Sequence, residues 1–265
     1  MSFEVSAEAY DAFMGGFSEP LSDEFLAFAG VPEGGRVLDV GCGPGALTRR
    51  LIDRLGIQSV AAVDPSASFV DAVRARFPGL DARRASAEEL PFADASVDAA
   101  LAQLVVHFMP DPVAGLREMA RVCRPGGVVA ACVWDHADGG GPLAGYWAAV
   151  REFDPDADDE ADLPGSREGD LIHLATAAGL VDVTGGRVSI SRRYASFQEW
   201  WEPYTYGIGP AGAYVRSLDA AAVDRLRGLC AARLPAAPFE IRASAWGVRG
   251  RVAGSRSRAV PKSAA

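Results

Sequence analysis

The chain has 265 residues, of which 49% are hydrophobic, and its formal net charge at pH 7 is -9. This length is sufficient to bury a sizeable core, and we expect one domain with insertions. The acidic balance disfavours nucleic acid as a partner, because binding to phosphates relies on clustered Lys and Arg. A small-molecule or protein substrate is therefore the better starting hypothesis.

The sequence carries no pattern typical of export or of a membrane. Its first residues, MSFEVSAEAYDAFMGGF, show no basic leader followed by an apolar stretch and a cleavage site. The best apolar run, GGVVAACVW, is far shorter than the ~18 residues of a membrane span. We therefore expect no membrane span and a cytoplasmic location. The four cysteines and three histidines lack metal-ligand spacing, so we expect neither a metal site nor a disulfide framework.

From residue 36 onward, short runs rich in Val and Ala alternate with helical patterns. The expected strands are, in order, RVLDVGC, SVAAVD, DARRAS, VDAALAQL, GVVAACVW, a segment near residues 181–190, and FEIRASAWGV. Alternation of this kind is typical of a parallel sheet wrapped by helices. The pattern predicts an α/β fold, Rossmann-like and doubly wound, with a mostly parallel seven-stranded sheet.

Two segments between these strands have clear local signals. A helix should begin at Asp111, which can cap it, with Pro112 in the first helical position, and Pro125 should end it. The acidic run EFDPDADDEAD is expected to be a solvated loop, because a calcium site would need a denser set of oxygen ligands.

The glycine loop after the first strand indicates a nucleoside cofactor. Gly41, Gly43 and Ala46 satisfy the loose G-x-G-x-x-A form of the dinucleotide fingerprint, and Asp64 lies about twenty residues further on. A nicotinamide dinucleotide is therefore one candidate. Asp39, two residues before the glycines, would repel a pyrophosphate but attract a cofactor that carries a sulfonium and an ammonium group.

This D-x-G-x-G-P-G loop and the later motifs resemble the class I S-adenosyl-L-methionine-dependent methyltransferases, in the small-molecule branch of the ubiquinone and menaquinone biosynthesis methylases. LDVGCGPG is similar to the family's first motif, and AVDPS, ASAEELPFADASVD, LAQLVVHFMPDP and RPGG resemble later motifs in the same order. The resemblance is strong over residues 36–134, the cofactor-binding core. It implies methyl transfer to the O, N or activated C of a small organic acceptor. A noncatalytic S-adenosylmethionine-binding protein and a nicotinamide-dependent oxidoreductase remain the alternatives.

The resemblance also implies which residues surround the cofactor. The carboxylate of Asp39 and the backbone of residues 41–43 would contact its methionine part, Asp64 its ribose hydroxyls, and Gln103 its sulfonium side. The whole expected set is Asp39, Gly41, Cys42, Gly43, Asp64, Pro65, Ser86, Ala87, Glu88 and Gln103. Ser86 stands where the family often has Asp, which weakens the expected contact with the adenine amino group.

Two of these carboxylates also have simpler interpretations, and the catalytic base is a separate hypothesis. Asp39 could fix the loop by accepting bonds from backbone N–H groups, and Asp64 could be a turn residue ahead of Pro65. His107, four residues after Gln103, is the candidate base because its intrinsic pKa suits proton removal near neutrality. The alternative is an imidazole that only packs and bonds locally.

A long insertion, residues 196–234, separates the last two strands. Its stretch SFQE has capping-box spacing, so a short helix should begin near Phe197 and be interrupted at Pro203. We expect this insertion to be a helical lid. The expected layout is one domain over residues 1–252, followed by a disordered tail, 253–265.

Aromatic residues suggest where the acceptor binds. Trp200, Trp201 and Tyr204 in the insertion are predicted to face a cleft opposite the glycine loop, and Tyr10 to close it from the other side. Aromatic walls with few charges would favour a flat, largely apolar acceptor. The alternative is that these rings are ordinary core, because large aromatics dominate buried contacts.

Overall fold

The structure is a computed structural model that describes residues 11–254. Its centre is a seven-stranded sheet in the order β3-β2-β1-β4-β5-β7-β6. The strands are β1 Val37–Val40, β2 Val60–Asp64, β3 Asp81–Arg84, β4 Val97–Gln103, β5 Cys123–Trp134, β6 Val181–Tyr194 and β7 Phe239–Arg251. Strands β1 to β5 pair in parallel, and β7 is antiparallel to both β5 and β6. The predicted α/β fold with a mostly parallel sheet is confirmed.

Helices cover both faces of the sheet. They are α1 Gly16–Ala29, α2 Ala46–Leu55, α3 Ala67–Arg76, α4 Pro112–Val122, α5 Ala144–Phe153, α6 Asp170–Ala177, α7 Phe197–Trp201, α8 Gly209–Ser217 and α9 Ala220–Arg233. A π-helical turn, Asp11–Gly15, leads into α1. Among the helices of residues 11–254, none has the length and apolar character needed to cross a bilayer.

The alternation of side chains along β1 explains how the sheet forms two hydrophobic cores. Val37 packs in a core that includes α1 and α2, whereas Leu38 and Val40 pack in the core on the opposite face, which includes α4 and α6. Successive strand residues point to opposite faces, so Asp39 lies on the same face as Val37, towards α2. This orientation brings a carboxylate from the middle of a buried strand against the helix that follows the glycine loop.

The strand order determines where a ligand can bind. From β1 the chain proceeds outward through β2 and β3, and β4 then returns to the other side of β1. The direction of winding therefore reverses between β1 and β4. In open α/β sheets this point leaves a crevice at the carboxyl ends of the strands.

Two boundaries differ from the sequence prediction. Helix α4 ends at Val122, before Pro125, because the chain is already paired to the sheet from Cys123. The chain there also pairs with the residue after β7, since Gly126 N donates to Val252 O at 2.8 Å. The acidic run is also not a purely solvated loop: Glu160 is buried and accepts a hydrogen bond from Trp147 Nε1 at 2.9 Å.

The insertion is helical, as the capping signal predicts. Ser196 Oγ accepts a hydrogen bond from Glu199 N at 3.1 Å, and α7 gives way to a 3₁₀ turn, Glu202–Tyr206, that contains Pro203. Helices α8 and α9 complete the segment before β7. All but the first two residues of the expected tail, 253–265, lie outside the described residues.

Candidate active site

A cavity of about 920 Å³ lies at the carboxyl edge of the sheet. It is bounded by the segments that directly follow β1, β2, β3 and β4, together with Ser18 of α1. Pockets for small molecules occupy about 300–1,000 Å³, so this cavity is large for its class. Its size suits a cofactor and a second small molecule side by side.

The glycine loop is held firmly against β2. Gly41 N and Cys42 N both donate to Val63 O, at 2.8 and 2.9 Å. A Cβ on Gly41, where φ is +72°, would lie 2.5 Å from Val105, so close packing accounts for that glycine. A Cβ on Gly43, where φ is +51°, would meet no protein atom within 4 Å. Because Gly43 lines the cavity, its missing side chain leaves space that a ligand can use.

Asp39 places a buried carboxyl group at the base of this loop. Its Oδ2 accepts a hydrogen bond from Thr48 Oγ1 at 2.5 Å, so it is tied to α2. Burial raises the pKa of the Asp39 carboxyl to about 7, and the nearby charge of Asp64 adds to this effect. This contact is made with a side-chain hydroxyl of α2. It does not support the hypothesis that Asp39 accepts hydrogen bonds from backbone N–H groups of the loop. Asp39 also lines the cavity.

Asp64, at the end of β2, both organises the loop and faces the cavity. Its Oδ2 accepts from Gly43 N at 2.9 Å, and its Oδ1 accepts from Ser66 N at 2.8 Å. The turn interpretation is thus confirmed, but a carboxylate can accept about four hydrogen bonds, so capacity remains for a ligand. Burial raises the pKa of Asp64.

The two carboxyl groups together make this end of the cavity acidic. Within residues 11–254, no arginine or lysine is among the groups that lower the pKa of Asp39 or Asp64. A pyrophosphate would be repelled here, whereas a cationic ligand would be attracted. These two carboxyl groups therefore fit a nucleoside with a sulfonium and an ammonium group.

All ten residues predicted to surround the cofactor line the cavity: Asp39, Gly41, Cys42, Gly43, Asp64, Pro65, Ser86, Ala87, Glu88 and Gln103. They come together because each group lies at the end of a different parallel strand, or directly after it, at the same edge of the sheet. Glu88 is further fixed by α4, since its Oε1 accepts from Asp111 N at 3.4 Å. Burial raises the pKa of the Cys42 thiol well above its usual value, which agrees with its role as a small buried side chain.

His107, the predicted base, is not among the residues that line the cavity. Its side chain is buried, and its ring lies 3.9 Å from that of Phe108 and 5.8 Å from that of His136. Burial lowers the pKa of His107 well below its usual value, because a charged imidazole would lose its hydration. This placement matches local packing, not proton removal from a ligand in the cavity.

The aromatic residues of the insertion are placed in the core instead of the cavity wall. Trp200, Trp201 and Tyr204 are each 3% exposed, and none of them lines the cavity. Tyr204 stacks on Tyr146 at 4.4 Å and meets the ring of Phe13 edge-on at 5.5 Å. Mutual packing of these rings explains why they face inward. Tyr10 lies outside the described residues.

Other cavity residues were not singled out from sequence. An apolar wall follows β4 and is formed by Leu104, Val105, Phe108 and Met109. The motif LAQLVVHFMPDP could have indicated this wall, because apolar residues directly after the end of a strand must face either the core or a cleft. Ser18 had no such signal, because its helix precedes the first strand and meets the cavity only through tertiary packing.

Comparison with known proteins identifies the family. A family model described as "Methyltransferase domain" matches residues 38–131. An uncharacterized methyltransferase of Mycobacterium tuberculosis is 46% identical over 103 residues, which are 39% of this chain and 41% of that protein. The match thus spans less than half the length of this relative. A second relative, an uncharacterized methyltransferase of Mycobacterium sp. strain KMS, is 33% identical over 213 residues, covering 75% of this chain and 82% of that one.

The fold is shared with solved methyltransferases. A phosphoethanolamine N-methyltransferase of Haemonchus contortus, in complex with phosphomonomethylethanolamine and S-adenosylhomocysteine, superposes with a TM-score of 0.56 at 16% identity. The match covers 94% of this chain and 57% of that one. The relative from Mycobacterium sp. strain KMS matches across most of both chains. That match, the shared fold and the glycine loop at an acidic cavity place the chain among the class I S-adenosylmethionine-dependent methyltransferases.

Proposed function

We propose that this methyltransferase acts on a neutral, largely apolar small organic molecule. The observation that carries the proposal is the wall of the cavity after β4, where Leu104, Val105 and Phe108 present apolar side chains. Arg84 is the arginine that lines the cavity within the described chain, and it is the last residue of β3, on the far side of β1 from this wall. Its Nε donates to Pro65 O at 3.0 Å. An anionic acceptor would need a cationic partner beside it, and the wall after β4 supplies none.

The residues present fit S-adenosylmethionine, the cofactor of this family. We propose that Asp64 accepts hydrogen bonds from the ribose hydroxyls, because its carboxylate retains acceptor capacity beyond its two backbone partners. Asp39 contributes negative charge, and the open space beside Gly43 receives the methionine part. When bound, the cofactor supplies an electrophilic methyl group on a sulfonium that is already an activated leaving group.

The contribution of the protein is mainly to align the two reactants and to exclude water. The apolar wall after β4 desolvates the acceptor, and the rigid loop held by Val63 and Asp64 fixes the other side. The described structure offers no support for His107 as a base in this reaction, because its imidazole lies outside the cavity wall. We therefore propose that the neutral acceptor attacks with a lone pair and releases its proton to solvent after the methyl group has been transferred.

A screen of acceptors tests the proposal. The protein is incubated with S-adenosylmethionine and two matched panels: one contains uncharged alcohols and aromatic amines, and the other contains the same scaffolds bearing carboxylate or phosphate. Methylated products are detected by mass spectrometry. We expect products from the neutral panel, and methylation confined to the anionic panel would contradict the proposal.

Two glycine variants control the screen. Gly43→Val should abolish turnover because the new side chain occupies ligand space, whereas Gly34→Val should not. Gly34 has φ +74°, and a Cβ added there would meet no protein atom within 4 Å. The substitution therefore imposes a similar backbone strain, but in a turn that precedes β1 at the opposite edge of the sheet. Equal loss of turnover in both variants would mean that strain, not ligand space, is the cause.

A further inference from the structure

The hydroxyl of Thr48, in the first turn of α2, is bonded across the fold and not within its own helix. A threonine hydroxyl inside a helix can donate to the main-chain oxygen four residues earlier, as Thr176 Oγ1 does to Ile172 O at 2.7 Å in α6. Thr48 Oγ1 instead donates to Asp39 Oδ2 in β1 at 2.5 Å. Thr48 is fully buried, so bulk water does not compete for this hydrogen bond.

Asp39 can act on a ligand mainly through its charge. The residue lines the cavity but is only 1% exposed, which leaves little surface for direct contact. An ionised carboxylate attracts a cation at a distance, whereas a protonated carboxyl group carries no charge that could do so. The contribution of Asp39 to binding therefore depends on whether it is ionised near neutral pH.

The groups around Asp39 act on its ionisation in opposite directions. Burial in the sheet and the carboxylate of Asp64, at the end of β2, both raise the pKa of Asp39. Cys42 in the glycine loop brings no positive charge, and the charge of Asp39 helps to raise the pKa of its thiol. Within the described chain, the hydroxyl and the main-chain N–H of Thr48 are the groups that lower the pKa of Asp39.

From this geometry we infer that Thr48 is a positioning residue for the cofactor: its hydroxyl holds Asp39 ionised and fixed in orientation, so that the cavity attracts a cation at neutral pH. The inference rests on the proposed binding of S-adenosylmethionine and adds a residue that does not itself line the cavity. A hydroxyl bonds more strongly to a carboxylate than to a neutral carboxyl group, and 2.5 Å lies at the short end of the range for such bonds. Thr48 therefore favours the anion over the protonated form.

The affinity for S-adenosylmethionine at two pH values tests this role. Calorimetry at pH 7 and at pH 8.5 compares the wild type with Thr48→Val, which keeps the shape of the side chain but removes the hydroxyl, and with Thr48→Ser, which keeps the hydroxyl. Thr176→Val is the matched control, because it removes a helical threonine hydroxyl that lies away from the cavity. The substitution Thr48→Val is also made in an Asp39→Asn background, where no carboxyl group is left to ionise.

Loss of the hydroxyl should move the midpoint of the affinity profile up by about one pH unit, because the anion loses a hydrogen-bond donor. We therefore expect Thr48→Val to bind about fivefold more weakly than the wild type at pH 7 and within about twofold at pH 8.5, where Asp39 is mostly ionised in both proteins. Thr48→Ser and Thr176→Val should match the wild type at both pH values. In the Asp39→Asn background, the effect of Thr48→Val should be the same at both pH values.

A structural role would give a different result. If Thr48→Val weakens binding by the same factor at pH 7 and pH 8.5, or has no effect at either, Thr48 only packs α2 against β1 and the inference is wrong. If the wild type binds S-adenosylmethionine at neither pH, the proposed function itself fails, which is a separate result. Should Thr48→Val not fold, as judged by circular dichroism, Thr48→Cys takes its place under the same two outcomes, because a thiol is of similar size but is a weak donor.

Discussion

Protonation of Asp39 should control the affinity for S-adenosylmethionine near neutral pH. Burial raises the pKa of this carboxyl to about 7, so it is about nine-tenths ionised at pH 8 and about one-tenth ionised at pH 6. A cationic ligand interacts favourably with the ionised form, and binding must therefore remove the proton that Asp39 holds at low pH. This linkage predicts that affinity falls about tenfold from pH 8 to pH 6.

Titration calorimetry at both pH values, in buffers of different ionisation enthalpy, measures the affinity and the protons released. Asp39→Asn is the control, because it cannot ionise and keeps an acceptor for Thr48 Oγ1. The amino group of the ligand titrates equally in both proteins, so the difference between them isolates Asp39. If the ratio of the wild-type and Asp39→Asn affinities is the same at pH 6 and at pH 8, protonation of Asp39 does not control binding.

Three further changes probe the site and its support. Asp64→Ala should weaken S-adenosylmethionine and S-adenosylhomocysteine alike by about 1.5–3 kcal/mol in calorimetry, because a charge-assisted hydrogen bond is lost; unchanged affinity would remove Asp64 from the site. Burial raises the pKa of Glu160 from 4.5 to about 7, so the folded state binds the proton more tightly and the free energy of unfolding should fall by up to about 3 kcal/mol as pH rises through this interval. Because Asp39 titrates in both proteins, urea denaturation should show a decline that is smaller in Glu160→Gln than in the wild type by about this amount. Trp200→Ala should lower the free energy of unfolding by about 3–5 kcal/mol while S-adenosylhomocysteine still binds; a selective effect on acceptor kinetics without lost stability would support the lid hypothesis instead.

The cofactor side of the site could be predicted from sequence because its information is local. Asp39 lies near the end of β1, just before the glycine loop, and Asp64 is the last residue of β2; the carboxyl ends of parallel strands share one edge of the sheet. Short motifs therefore specify both the residue type and its place. The same locality explains the confirmed helix start at Ser196, where a hydroxyl and a carboxylate three residues apart satisfy the first turn.

The acceptor side could not be predicted in this way, because its residues meet through tertiary contacts. Whether Tyr204 faces a cleft or the core depends on Tyr146 and Phe13, which are distant in sequence and pack against its ring. Gln103 was identified by motif, but the orientation of its amide depends on Ser18, 85 residues away. The narrower resemblance to the ubiquinone and menaquinone methylases stays a prediction.

A crystal structure of the complex with S-adenosylhomocysteine tests the central claim most directly. We predict one ligand in the cavity between β1 and β4, with its ribose hydroxyls within hydrogen-bond distance of the Asp64 carboxylate and its methionine part beside Gly43. Density for the ligand at any other place on the chain, or a cavity filled by side chains with no ligand bound at saturating concentration, would contradict the assignment.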